Sequence, residues 1–205
     1  MYKLYHQHKT YFQLLFCWIV TLGFALLVFG NHHLFLMLHK DMGSIADWCF
    51  RWITELVSTT GSCIVVLLLL IRNWREGTKA LIAMVSSTIV THVLKIWVDA
   101  PRPWVYFNNE TVIRSIKEVT LLPNHSFPSG HSTAAFALAT ALVFTFNDKR
   151  WSIFFFVMAV LVGYSRIYLG QHFPLDVWVG SMIGILSATL IWTFVVFKKK
   201  EINLS

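Results

Sequence analysis

Charge is what this sequence has least of. Only 13% of its 205 residues are Asp, Glu, Lys or Arg, about half the share in an average soluble domain. With 56% apolar residues, the chain reads as an integral membrane protein. Cysteine is scarce as well. Cys17, Cys49 and Cys63 are spaced for neither a disulfide framework nor a metal site. No internal repeat or low-complexity segment is present. Basic residues interleaved with exposed aromatics on a soluble surface are missing too, which excludes nucleic-acid binding.

What the chain has in quantity is long apolar runs. A bilayer core takes about 20 helical residues, and six stretches approach or reach that length: 11–30, 54–71, 80–98, 131–147, 151–169 and 175–197. The expected fold is therefore all-α, a single integral-membrane domain over residues 1–205 built on a six-transmembrane-helix bundle. The first run is followed by Asn31-His32-His33 rather than by small residues fit for cleavage. An ordinary first helix or a signal anchor is expected there, not a removed signal peptide.

Lysine and arginine orient the runs. Lys3, Lys9, Arg72, Arg75, Lys79, Lys149, Arg150, Lys198, Lys199 and Lys200 fall on one side, ten of the seventeen in the chain. That side is expected to be cytoplasmic, with both termini inside. Trp74 and Trp151 then mark the inner boundary, and Trp48, Trp52, Trp97, Trp104 and Trp178 the outer one. Two long connections, 31–53 and 99–130, become external. The first mixes apolar and charged residues at helical spacing and predicts an interfacial helix after the first span. Its His32, His33 and His39 are expected to be interfacial side chains.

The outer half holds the other cations: Lys40, Arg51, Lys95, Arg102, Arg114, Lys117 and Arg166. Lys95 and Arg166 lie inside apolar runs near their ends, where an ionised side chain costs about 2.5 kcal/mol or more unless paired or wet. Each alone could snorkel to the interface. With Arg102 they form a cationic surplus on one face, which suits an anionic ligand. The acids there, Asp99, Glu110, Glu118 and Asp176, are too scattered for a two-metal carboxylate cluster. No metal or other cofactor is expected.

Pro128-Ser129-Gly130-His131 opens the fourth run. The amides of Ser129, Gly130 and His131 are among the helix-start donors without an intrahelical partner. Such a start binds phosphate, because free N–H groups and the positive end of the dipole coincide. The serine hydroxyl also suits a plain N-cap. An imidazole adds nothing to a cap, so His131 points to chemistry. A second histidine, His172, precedes Asp176 by four residues at the start of the sixth run. A carboxylate that accepts from one ring nitrogen leaves the other a free lone pair, although an aspartate also favours a helix start. His125 reads as a loop residue and His92 as a helix-packing one.

Lys95 with six residues before Arg102-Pro103, then Pro128-Ser129-Gly130-His131, then Ser165-Arg166 with five residues before His172 and three more before Asp176, resembles the three-part signature of the type 2 phosphatidic acid phosphatase superfamily. The motifs span residues 95–176, and the six-run layout carries the resemblance over nearly the whole chain. Soluble vanadium haloperoxidases resemble the same signature, but six apolar runs argue against them.

The resemblance implies a metal-independent phosphatase acting on a lipid phosphate or diphosphate at the outer face of the membrane. His172 would attack phosphorus and form a phosphohistidine, and Asp176 would orient it. His131 would protonate the leaving oxygen and later activate water. Lys95, Arg102, Arg166, Ser129 and the Gly130 amide would hold the phosphate oxygens. The substrate would come from the bilayer, with no obligatory protein partner. A chain this short, with no large extramembrane domain, suits a bacterial cytoplasmic membrane, with the site facing the periplasm or exterior. Two other readings stand beside it: a lipid phosphotransferase on the same site, and a membrane protein that binds an anion without turnover. Two paired histidines speak against the last.

Overall fold

Short polar side chains cut the apolar chain into helices. The computed structural model describes residues 2–108, 113, 114, 116, 119–146 and 148–202. In these residues lie α1 (Tyr2–Gln7), α2 (Lys9–Phe29), α3 (Asn31–Leu38), α4 (Gly43–Glu55), α5 (Thr59–Arg72), α6 (Trp74–Val98), α7 (Pro103–Phe107), α8 (Gly130–Phe146), α9 (Lys149–Tyr168) and α10 (Pro174–Ile202). Among the described residues there is no strand. Asn73 Oδ1 accepts from the amides of Arg75 and Glu76 at 3.2 and 3.4 Å to start α6, and Asp148 Oδ1 accepts from Arg150 at 2.7 Å to start α9. Both are N-caps that satisfy otherwise orphaned donors. Glu110, Glu118 and Lys117 lie outside the described residues.

The all-α expectation holds, and the count of spans is coarser than six. Four segments are long and apolar enough to cross a membrane alone: α2, Trp74–Phe107, α9 and Pro174–Phe194. Helices α4 and α5 pass only as a pair bent by 50°. The break follows from Glu55 to Ser58, where Ser58 Oγ accepts from the Gly61 amide at 3.3 Å and starts a new helix. The fourth run is α8, with only 17 residues. Its start at Ser129 is fully buried, so the helix begins below the rim of the bundle. It is apolar nearly all round, the pattern of a helix enclosed by others.

Helix α8 packs closely on α10 because two glycines allow it. A Cβ on Gly180 would stand 2.6 Å from the Ser129 carbonyl oxygen, and one on Gly184 would collide with the Thr133 carbonyl. This small-x-x-x-small spacing lets backbones approach. Cross-helix hydrogen bonds add to it: Tyr11 to Thr140 at 2.9 Å, Trp18 Nε1 to Ser181 Oγ at 3.1 Å and Trp178 Nε1 to the Ile19 carbonyl at 2.9 Å. Trp178, expected at the outer boundary, joins α10 to α2. Trp48, Trp52, Trp74, Trp97 and Trp151 are exposed.

The two ends of the bundle differ in charge. At one end Lys79 sits over Trp192, Arg72 over Phe146, and the His6–Thr10 segment faces Asp148 and Lys149. At the other end the close of α6, the start of α8, the close of α9 and the start of α10 converge. All eight expected site residues lie there.

Candidate active site

Helix ends build the site. Helix α9 stops at Gly170, whose φ of 68° is the left-handed conformation glycine adopts freely. The amides of Gln171 and His172 then both donate to the Arg166 carbonyl, at 2.9 and 3.1 Å. This turn delivers His172, only 2% exposed, to the start of α10. Pro174 takes the first helical position, where a missing N–H costs nothing. Asp176 Oδ2 reaches back to accept the Phe173 amide at 2.9 Å, the reciprocal half of a capping box. The same oxygen lies 3.4 Å from His172 Nδ1, a close approach without hydrogen-bond alignment. Helix start and histidine partner are one carboxylate.

Ser129 is likewise both cap and site residue. Its Oγ accepts from the Ser132 amide at 3.3 Å and from Ser132 Oγ at 2.9 Å. Its own amide donates to the Asp176 carbonyl at 3.0 Å, so it is not the free donor the sequence suggested. That bond ties the second motif to the third.

The three expected cations surround this pair. Arg102 is buried; its Nε donates to the Asn124 carbonyl at 3.0 Å, and its Nη1 to the Gln171 side chain and carbonyl at 3.0 and 3.3 Å. Arg166 Nη1 donates to Thr54 Oγ1 at 2.9 Å, while its buried Nε has no hydrogen-bond partner among the described residues. Lys95 Nζ donates to the His125 carbonyl at 2.5 Å. Their partners are neutral oxygens; none makes an ion pair among the described residues. Arg114, by contrast, is bound to Asp41 and Asp47. The charges of Arg166, Arg102 and Lys95 all bear on His131, and so does His172. Burial first, then Arg102, Arg166 and Lys95, holds the His172 imidazole well below its usual range, against the opposing pull of the Ser126 carbonyl. These surroundings favour the neutral imidazole, with its lone pair available. Among the described residues no three His, Cys, Asp or Glu side chains converge as a metal site.

Several contributors carried no sequence signal. Ser126 Oγ donates to Asp176 Oδ2 at 2.5 Å, and Gln171 holds Arg102. His39, expected at the interface, is half-buried with Nδ1 2.9 Å from the Tyr168 carbonyl, and its Nε2 accepts the Arg114 amide at 3.3 Å. His125, read as plain loop, pairs with Asp99 at 3.0 Å, and His92 is exposed rather than packed. An apolar cavity of about 780 Å³ runs between α5 and α6, with Val66, Leu70, Leu81 and Val85 in its walls and Gly130 and His131 at its site end.

Known proteins place this geometry. The family model of the PAP2 superfamily matches residues 76–200. The chain belongs to that superfamily. Over 169 residues it is 26% identical to undecaprenyl-diphosphatase BcrC of Bacillus subtilis, covering 80% of this chain and 83% of that one. It is 32% identical over 132 residues to phosphatidylglycerophosphatase B of the same organism, covering 60% of this chain and 59% of that protein. The crystal structure of Aquifex aeolicus LpxE superposes with a TM-score of 0.69 at 30% identity, covering 80% of this PAP2 chain and 94% of LpxE. The sequence resemblance and the family are the same, and this PAP2 protein is a member of a family of membrane lipid phosphatases.

Proposed function

We propose that the protein hydrolyses a lipid diphosphate or lipid phosphate at the outer face of a bacterial cytoplasmic membrane, through a phosphohistidine on His172. The observation that carries this reading is the group of three cations, Lys95, Arg102 and Arg166, held by neutral oxygens around a buried His172–Asp176 pair. Arg102 and Arg166 are buried, a buried cation without a carboxylate partner is costly, and a phosphate held by them and Lys95 offsets that cost. In the reaction His172 Nε2, the nitrogen away from Asp176, attacks phosphorus while the bond to the leaving oxygen breaks. His131 gives that oxygen a proton. Water then attacks the phosphohistidine, His131 takes its proton, the P–N bond breaks and phosphate leaves. The cations, Ser129 and the Gly130 amide stabilise charge on the equatorial oxygens. No metal takes part.

The lipid's hydrocarbon lies in the apolar cavity that ends at His131. Likeness to undecaprenyl-diphosphatase BcrC over four fifths of the chain supports a polyprenyl diphosphate as the first substrate of this reading. The membrane arrangement proposed with this is six spans, α8 the central one, α4 along the outer interface and both termini cytoplasmic, in keeping with the basic end of the bundle lying opposite the site. A phosphate-release assay on the purified protein with undecaprenyl diphosphate, phosphatidylglycerol phosphate, phosphatidate and lipid A tests the reading. Release that persists under exhaustive chelation and is inhibited by vanadate is expected. Release that stops with chelator and returns with magnesium overturns the mechanism, and no release from any of the four overturns the function.

A further inference from the structure

Ser126 is fully buried and lies outside all three motifs. Each of its polar groups is nevertheless engaged at the site. Its amide donates to the Ala100 carbonyl at 2.9 Å, which anchors it to the turn between Lys95 and Arg102. Its carbonyl stands 3.5 Å from Lys95 Nζ. Its hydroxyl donates to Asp176 Oδ2 at 2.5 Å, the oxygen that also takes the Phe173 amide and faces His172 Nδ1. A carboxylate on the first turn of a helix can rotate about its side-chain bonds. Two donors on one oxygen, from two different segments of chain, fix that oxygen toward the imidazole.

We infer that Ser126 is a positioning residue of the site: its hydroxyl holds the Asp176 oxygen that orients His172, and through its amide it sets that carboxylate relative to the segment carrying Lys95 and Arg102. The inference rests on the proposed role of His172 as nucleophile. The Ser126 hydroxyl acts on phosphate only through Asp176, and the backbone contacts to Ala100 and Lys95 survive its removal, so loss of the hydroxyl falls on the chemical step and not on substrate binding. A hydrogen bond to a charged group is among the stronger kinds.

The test is steady-state kinetics of Ser126→Ala, Ser126→Cys and His172→Ala on a phosphate-releasing lipid substrate, with thermal unfolding in the same detergent. For Ser126→Ala, kcat falls about 10- to 100-fold with KM unchanged within about twofold. Ser126→Cys, close in size with a weaker donor, retains an intermediate kcat; it decides the matter if the alanine variant does not accumulate. Unchanged kcat in Ser126→Ala, a loss shared between kcat and KM with a lowered unfolding midpoint, or a cysteine variant no better than alanine each overturns the inference. His172→Ala separates this from the underlying reading. If it retains turnover the nucleophile is wrong, whereas a dead His172→Ala beside a fully active Ser126→Ala refutes the serine's role alone.

Discussion

At the residue scale, division of labour between the two histidines follows from where each stands. His131 is the second residue of α8, at the end of the apolar cavity, where in the proposed reaction it would meet the leaving group. A lipid alcohol leaves poorly as an alkoxide and needs a proton, while a diphosphate departs as a stable monoester anion. General acid catalysis is worth about 100- to 10,000-fold. His131→Ala is expected to lose that much on monophosphate lipids and distinctly less on diphosphate lipids in a single-turnover burst; equal losses would contradict the assignment. For His172 the pH dependence is set by its surroundings. Burial and the cations lower its pKa, so the neutral, nucleophilic form persists as pH falls through about 6.5, the ordinary histidine value. The acid limb of kcat/KM that belongs to His172 is expected well below pH 6.5, after correction for substrate ionisation. A limb centred near 6.5 contradicts the burial argument. The motif residues were legible in sequence because cations and imidazoles are costly in apolar runs and call for a reason. Ser126, Gln171 and Thr54 were not. Their contacts lie 50, 69 and 112 residues apart in sequence, and isolated polar residues, two in connections and one at the end of α4, have no period that betrays such reach.

At the scale of elements, apolar length made the long helices legible, and capping residues set where several of them begin. Asn73, Asp148 and Ser129 are ordinary N-cap residues placed before apolar runs. The division of residues 31–72 into three helices was less legible, because hydropathy carries no sign of a 50° bend. The helix–helix contact of Trp178 was not legible for a related reason: tryptophans that tie two helices and tryptophans that face outward look alike in sequence. The α8–α10 contact has its own test. Gly184→Val puts a side chain into the Thr133 carbonyl, and overpacking of this kind costs about 1–3 kcal/mol or more. A drop of several degrees in unfolding midpoint is expected, about 2–4 °C per kcal/mol at this size, and an unchanged midpoint contradicts the close packing. Along the cavity, Met84→Trp is expected to raise KM for a long-chain lipid about tenfold and to leave hydrolysis of a short-chain soluble phosphate unchanged.

For the whole molecule, the sequence and the bundle agree on two unlike ends, one basic and one holding the site. Single cysteines at Asn108 and Lys149, in a chain with Cys17, Cys49 and Cys63 replaced, test which end faces out. A membrane-impermeant reagent on intact cells is expected to label the first and miss the second; the reverse puts the site in the cytoplasm. The central claim is the bond between His172 and phosphorus, and trapping it is the most direct measurement. Rapid quench of the purified protein with radiolabelled undecaprenyl diphosphate is expected to yield an acid-labile, base-stable phosphoenzyme that is absent from His172→Ala. A phosphoenzyme that persists in His172→Ala, or turnover of the wild type with none formed on the timescale of the first cycle, contradicts the account.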